Sequence, residues 1–352
     1  MRASLAALAD RYDVALLDLD GVVYIGSKAV EGAPQTLRLA RERGMRLTFV
    51  TNNASRTPQA IAVHLTELGI VAAAEEVVTS AQAAAHYLAE RLPVGAAVLV
   101  LGASGLIEAL RERALRPVMS ANDAPVAVVQ GYSPDLDWHQ LAEGAIAIQR
   151  GIPWIATNLD PTVPSARGQL PGNGSLVAAL RHATGVTPIA TGKPDPTMHR
   201  ETVERSGARR PLVVGDRLDT DIEGATAVGC DSLLVLSGVT SPTELLAAVP
   251  HRRPDYIAHD LSGLLQSHPS VAAHGGSARC GRWMATATAD VIELSAGSSA
   301  RPADVSPHDD VVDALRALCV VAWTSAQPGS PCPSCRFADD AARVVLAGLG
   351  LG

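Results

Sequence analysis

The sequence predicts an α/β protein: a doubly wound parallel sheet with a small α/β appendage after it. Three observations carry this. Short apolar runs, such as Val14–Asp18, Arg46–Val50 and Pro211–Gly215, end in or run into Asp, Asn or Thr, as buried parallel strands feeding functional loops do. Stretches with helical apolar spacing separate them, and Gly or Pro falls at their ends. After about His268 the alternation gives way to small, polar, Gly/Ser/Pro-rich segments.

Taken in order, Val14–Asp18 reads as the first strand, and Glu31–Arg43 as a helix with Leu37, Leu39 and Ala40 inward and Gly44 closing it. Arg46–Val50 is the next strand, ending at Thr51-Asn52-Asn53, and Thr57-Pro58 opens a helix through Leu68. The alternation continues with strand Ala96–Leu101, helix Leu106–Arg113, strand Val126–Gln130, helix Trp138–Arg150 and strand Trp154–Asn158. A Pro/Gly-rich stretch, Pro161–Gly174, reads as a loop before helix Ser175–Thr184, and Pro211–Gly215 and Ser232–Leu236 as core strands. In the tail, Ser270–Arg279 and Ala296–Pro307 read as linkers, Met284–Leu294 as one strand, and Pro307–Trp323 as a helix with Ser306 as its N-cap.

Composition narrows the function. Of 352 residues 47% are apolar, enough for a sizeable core, whereas aromatics are 3%, too few for a base-stacking platform. The net charge of −7 makes nucleic acid and anionic membrane poor partners. No apolar run approaches the roughly 20 residues of a membrane span. Asp10, Arg11 and Asp13 interrupt any signal-peptide core, and an odd cysteine count of 5 argues against a disulfide framework. The expectation is a cytoplasmic protein.

Two acidic clusters carry the chemistry. Asp18-Leu19-Asp20-Gly21-Val22 stands at a strand end, where ligands bind in open α/β sheets. Two acids one residue apart share a side of an extended chain, so one can attack while the other moves protons; the same pattern is also an ordinary turn. Gly215-Asp216-Arg217-Leu218-Asp219-Thr220-Asp221 follows another core strand. So many acids repel without a cation, and hard oxygen ligands select Mg²⁺. Thr51 offers a hydroxyl beside Asn52 and Asn53, suited to a phosphate oxygen, and Gly192-Lys193-Pro194 holds a lone cation between backbone-fixing residues.

In order, these four segments resemble the motifs of the haloacid dehalogenase superfamily, and Thr51-Asn52-Asn53 with the long insert before Lys193 looks like its NagD/4-nitrophenylphosphatase branch. The resemblance covers about Tyr12–Leu265. It implies a Rossmann-like core over 1–80 and 187–267, a C2-type cap over 81–186, and an appendage over 268–352 that weakly resembles part of an acetyltransferase. It further implies that Asp18 is the nucleophile forming an aspartyl-phosphate and Asp20 the general acid/base. Thr51, Asn52 and Lys193 would hold phosphoryl oxygens. Mg²⁺ would sit on the Asp18 carboxylate, the Asp20 main-chain carbonyl and Asp216, with Asp221 in support. Asp20 in place of an aliphatic residue argues for phosphatase over dehalogenase.

In the insert, Asn158 and Asp160 are candidates for hydrogen bonds to substrate hydroxyls, Asn173 is a further candidate substrate contact, and Gly172 and Gly174 could let the backbone approach closely; ordinary loop punctuation explains them as well. The resemblance thus implies an Mg²⁺-dependent phosphomonoesterase for a small phosphorylated metabolite; among the substrates usual in that branch glycerol 3-phosphate comes first, since a cap poor in aromatics disfavours stacking a pyridoxal ring or base. 2-Phosphoglycolate, pyridoxal 5′-phosphate and nucleoside monophosphates are alternatives, as is a scaffold whose tail binds a partner; a homo-oligomer formed through the cap stays open. Cys332 and Cys335 have zinc-like spacing but no completing pair.

Overall fold

The computed structural model describes residues 1–165, 168–288, 291–297, 301, 305–325 and 333–352. Cys332 lies outside them. The chain forms two compact units: Met1–Ile25 with Ala29–Leu47 and Arg209–Gly352, and Gly26–Lys28 with Thr48–Ala208.

In the first unit, strand Val14–Leu17 is buried at every position and pairs in parallel with Pro211–Gly215. That strand pairs with Asp231–Val235, which pairs with Tyr256–Ala258, again in parallel. Branched and leucine side chains on both faces of these strands, with no polar alternation, are what a sheet covered on two sides requires. Helix Ala33–Glu42 packs against the short helical turn Leu261–Leu265.

The tail is more regular than its composition suggests. Ser270–Arg279, expected as a linker, forms the strands Ala272–His274 and Ser277–Cys280, paired antiparallel. Gly275 and Gly276, with φ of 55° and 81°, turn this hairpin, a conformation open to glycine at little cost. The single strand expected over Met284–Leu294 is two antiparallel strands, Trp283–Thr288 and Val291–Ala296, and Ser334–Phe337 adds to the latter in parallel. Helix Pro307–Ser325 lies on this sheet, and the Ser306 hydroxyl accepts from the Asp309 N–H at 3.1 Å, the expected cap. One apolar cluster joins tail and preceding sheet: Leu218, Ile222, Leu245, Leu246 and Ile257 share it with Trp283, Ile292, Leu315 and Leu318.

In the second unit, Arg46–Thr51, which enters it at Thr48, pairs in parallel with Val77–Thr79. A five-stranded parallel sheet runs in the order Ile189–Ala190, Trp154–Ala156, Ala127–Gln130, Ala97–Leu101, Arg116–Val118, with helices on both faces. Pro161–Gly174, expected as a loop, carries the antiparallel strands Thr162–Ser165 and Gly168–Pro171. The unit takes in Thr48–Thr79 and helix Pro196–Ser206 besides the insert expected over 81–186. Hydrogen bonds of Asn52 and packing of Ser80–Ala89 on Pro196–Ser206 knit these segments together.

Candidate active site

In the first unit the ladder runs one residue past strand Val14–Leu17, because the Asp18 N–H donates to the Val214 carbonyl at 2.8 Å. Leu19 is buried and its carbonyl accepts from Val23 and Tyr24, so the chain turns sharply with Asp18 and Asp20 at the strand's carboxyl end. Gly21 stands in this turn at φ 85°, where only glycine is unstrained. Asp216 follows Pro211–Gly215 and is fully buried; its carboxylate accepts from the Val239 N–H at 2.7 Å. Asp221 lies in the helical turn Leu218–Ile222, buried, and accepts from the Arg217 N–H at 3.2 Å.

The carboxylates of Asp18, Asp216 and Asp221 come together, each offering an oxygen within 4.8 Å of the others. Glycines wall them in. A Cβ on Gly21 would stand 2.5 Å from the Asp216 Oδ2, one on Gly238 1.9 Å from it, and one on Gly215 2.2 Å from the Asp221 Cβ. The space beside these acids is therefore kept free of side chains. Three carboxylates this close repel strongly unless a cation neutralises them. Hard oxygens in this number fit a divalent ion such as Mg²⁺. Asp219, in the same acidic run, is bound to the Arg217 guanidinium at 3.1 and 3.0 Å instead. The Asp20 carboxylate is exposed and is not one of the clustered groups. Sequence reasoning missed Gly238 and Val239; their signal was a Ser-Gly pair just past strand Asp231–Val235.

In the second unit, Thr51 ends its strand, buried, and its hydroxyl oxygen accepts from the Asn53 N–H at 3.1 Å. Lys193 is buried, with Nζ 3.4 Å from the Val50 carbonyl. Asn52 binds the Lys193 main chain on both sides: Oδ1 accepts its N–H at 2.8 Å, and Nδ2 donates to its carbonyl at 3.1 Å. Nδ2 also reaches the Asp160 carboxylate at 3.2 and 3.3 Å. The Asn52 carbonyl accepts from Ser80 Oγ at 2.6 Å and from Asn158 Nδ2 at 2.7 Å.

The insert residues thus have partners inside the protein. Asn158 is buried, and its Oδ1 accepts from the Asp160 N–H at 3.2 Å. Asn173 is buried and donates to the Asn158 carbonyl at 2.7 Å. Gly172 and Gly174 do allow close approach, but to the chain itself: a Cβ would meet the Asp160 carbonyl at 2.4 Å and the Leu159 carbonyl at 2.2 Å, respectively. No helix among the described residues is long and apolar enough to cross a membrane.

Residues 15–116 match the family of haloacid dehalogenase-like hydrolases, 190–264 a HAD-hydrolase-like family, and 280–351 a GCN5-related N-acetyltransferase like domain. The chain is 46% identical over 319 residues to D-glycerol 3-phosphate phosphatase of Mycobacterium tuberculosis, covering 90% of this chain and 87% of that protein. It superposes with a TM-score of 0.88 on the crystal structure of a glycerol phosphate phosphatase from Mycobacterium tuberculosis in complex with magnesium, at 43% identity over 98% of this chain and 99% of the other. A 4-nitrophenylphosphatase from Thermotoga maritima matches with a TM-score of 0.68 and 30% identity over 73% of this chain and 98% of its own. With its paired acidic strand ends and these relatives, the chain belongs to the haloacid dehalogenase-like hydrolases.

Proposed function

We propose that this protein is an Mg²⁺-dependent phosphomonoesterase whose substrate is glycerol 3-phosphate. The observation that carries the reading is the glycine-walled cluster of Asp18, Asp216 and Asp221 at the carboxyl ends of two parallel strands. The similarity to a D-glycerol 3-phosphate phosphatase supports the choice of substrate.

The roles follow from charge and position. Asp18, Asp216 and Asp221, with the Asp20 main-chain carbonyl, would hold Mg²⁺. When bound, the ion supplies positive charge that lets an anionic nucleophile approach an anionic phosphate. Asp18 attacks phosphorus, displacing the alkoxide and leaving an aspartyl-phosphate. Asp20, exposed and two residues along, gives its proton to the leaving oxygen and then takes one from the water that opens the intermediate. The Thr51 hydroxyl and the Lys193 ammonium hold the phosphoryl oxygens as charge moves onto them. We assign 1–80 and 187–267 to this chemistry and 81–186 to covering the substrate, while 268–352 completes the apolar core.

A panel of phosphorylated metabolites, with and without Mg²⁺, tests the proposal. Phosphate release from glycerol 3-phosphate above that from 2-phosphoglycolate, pyridoxal 5′-phosphate and nucleoside monophosphates, abolished by chelation, is expected. Metal-independent release overturns the mechanism, and preference for another ester overturns the substrate.

A further inference from the structure

We propose that the Asn52 side chain is a positioning group that acts through Lys193, locked in place by Asp160, and does not itself bind the phosphate. The inference rests on the phosphatase reading and deepens it. The argument is a count of hydrogens. A side-chain amide has two N–H groups and one carbonyl oxygen. One Asn52 N–H goes to the Lys193 carbonyl at 3.1 Å and the other to the Asp160 carboxylate at 3.2 Å. Oδ1 already accepts the Lys193 N–H at 2.8 Å, and as an acceptor it would repel a phosphate oxygen. No side-chain donor of Asn52 is left for an anion.

What Asn52 does instead is grip the two peptide groups that flank the Lys193 Cα. The grip needs the main chain to come close: a Cβ on Gly192 would lie 2.7 Å from the Asn52 Oδ1 and 2.2 Å from the Thr157 carbonyl. With the backbone of Lys193 pinned and its side chain buried, the ammonium has little freedom to drift. The Asp160 charge strengthens the hydrogen bond that orients the amide. Asp160 in turn is held through its own N–H by Asn158, whose side chain reaches back to the Asn52 carbonyl. A loop of the insert thereby sets where the lysine sits.

The test uses full-length Asn52→Ala, Asn52→Asp and the double variant Asn52→Asp/Asp160→Asn, with Mg²⁺ and 4-nitrophenyl phosphate, and thermal melting alongside. A misplaced charge should lower kcat of Asn52→Ala about 100-fold with KM changed less than about threefold. A rise in KM at unchanged kcat would instead make Asn52 a direct phosphate ligand and overturn the inference. Asn52→Asp keeps an acceptor for the Lys193 N–H but sets two carboxylates against each other, so it should be equally impaired. Exchanging the partners, with an amide at 160, restores one donor between them and should recover at least about tenfold. A folded double variant with no recovery refutes the coupling, and this pair carries the test should Asn52→Ala fail to fold. Failure of the phosphatase reading looks different: the unaltered protein then releases no phosphate from any ester.

Discussion

Replacing Leu318 by Ala in the tail helix should destabilise the catalytic sheet, although the residue lies far along the chain from every candidate catalytic group. Leu318 is fully buried in the cluster that also contains Leu218 and Ile222, the residues flanking Asp219 and Asp221. Polar contacts reinforce the apolar ones. The Arg316 guanidinium donates to the Ile257 carbonyl and pairs with Asp313, and Trp323 Nε1 donates to the Leu245 carbonyl at 2.9 Å. A buried Leu→Ala change costs the lost transfer free energy plus a cavity, about 3 kcal/mol. For a unit of this size that lowers the melting temperature by roughly 6–12 °C. The assay follows unfolding by circular dichroism and, in parallel, 4-nitrophenyl phosphate hydrolysis left after heating. Both midpoints should fall together, because one core serves tail and sheet. A separate early transition that moves while the inactivation midpoint stays in place would refute the shared core.

Asp18→Asn should abolish turnover with the fold intact, since an amide cannot attack phosphorus; more than a few per cent residual activity counts against its role. Asp20→Asn should lose about 10²–10⁴-fold on glycerol 3-phosphate and markedly less in the first chemical step of esters with good leaving groups, and equal losses on both would remove the proton-donor role. In Gly238→Ala the new Cβ, 1.9 Å from the Asp216 Oδ2, must displace that carboxylate. The Mg²⁺ concentration for half activation should rise on the order of 10–100-fold, and an unchanged value would refute the glycine wall. Burial, aided by the Arg316 charge, pushes His268 down from 6.5 to about 4. The unfolded chain therefore binds the extra proton between those pH values, so stability from the neutral imidazole is complete above pH 6.5 and is lost as pH falls to about 4. The advantage of wild type over His268→Gln in urea unfolding should shrink by about 3 kcal/mol across that window; a pH-independent difference would refute it.

Much of the candidate site was legible in the sequence because it is local. Asp18 and Asp216 follow apolar runs that can only be buried strands, and a parallel sheet necessarily presents their carboxyl ends on one side. The acidic run 215–221 called for a cation by charge alone. Charge alone does not say which acids answer it, and only the family resemblance singled out Asp221: it joins Asp18 and Asp216, while Asp219 turns to Arg217, a choice made by the helical turn Leu218–Ile222. Asn52, Asn158 and Asn173 read as polar groups facing a ligand, because type and spacing show only that an amide needs partners. The partners came from segments up to 141 residues away, and only the packed chain brings them within hydrogen-bond distance. The tail shows the same division. Its helix was plain from periodicity and capping, whereas Leu315 and Leu318 sharing a core with Ile257 depends on burial between distant segments. Hydrophobic attraction specifies that such faces be covered but carries no directional information about what covers them.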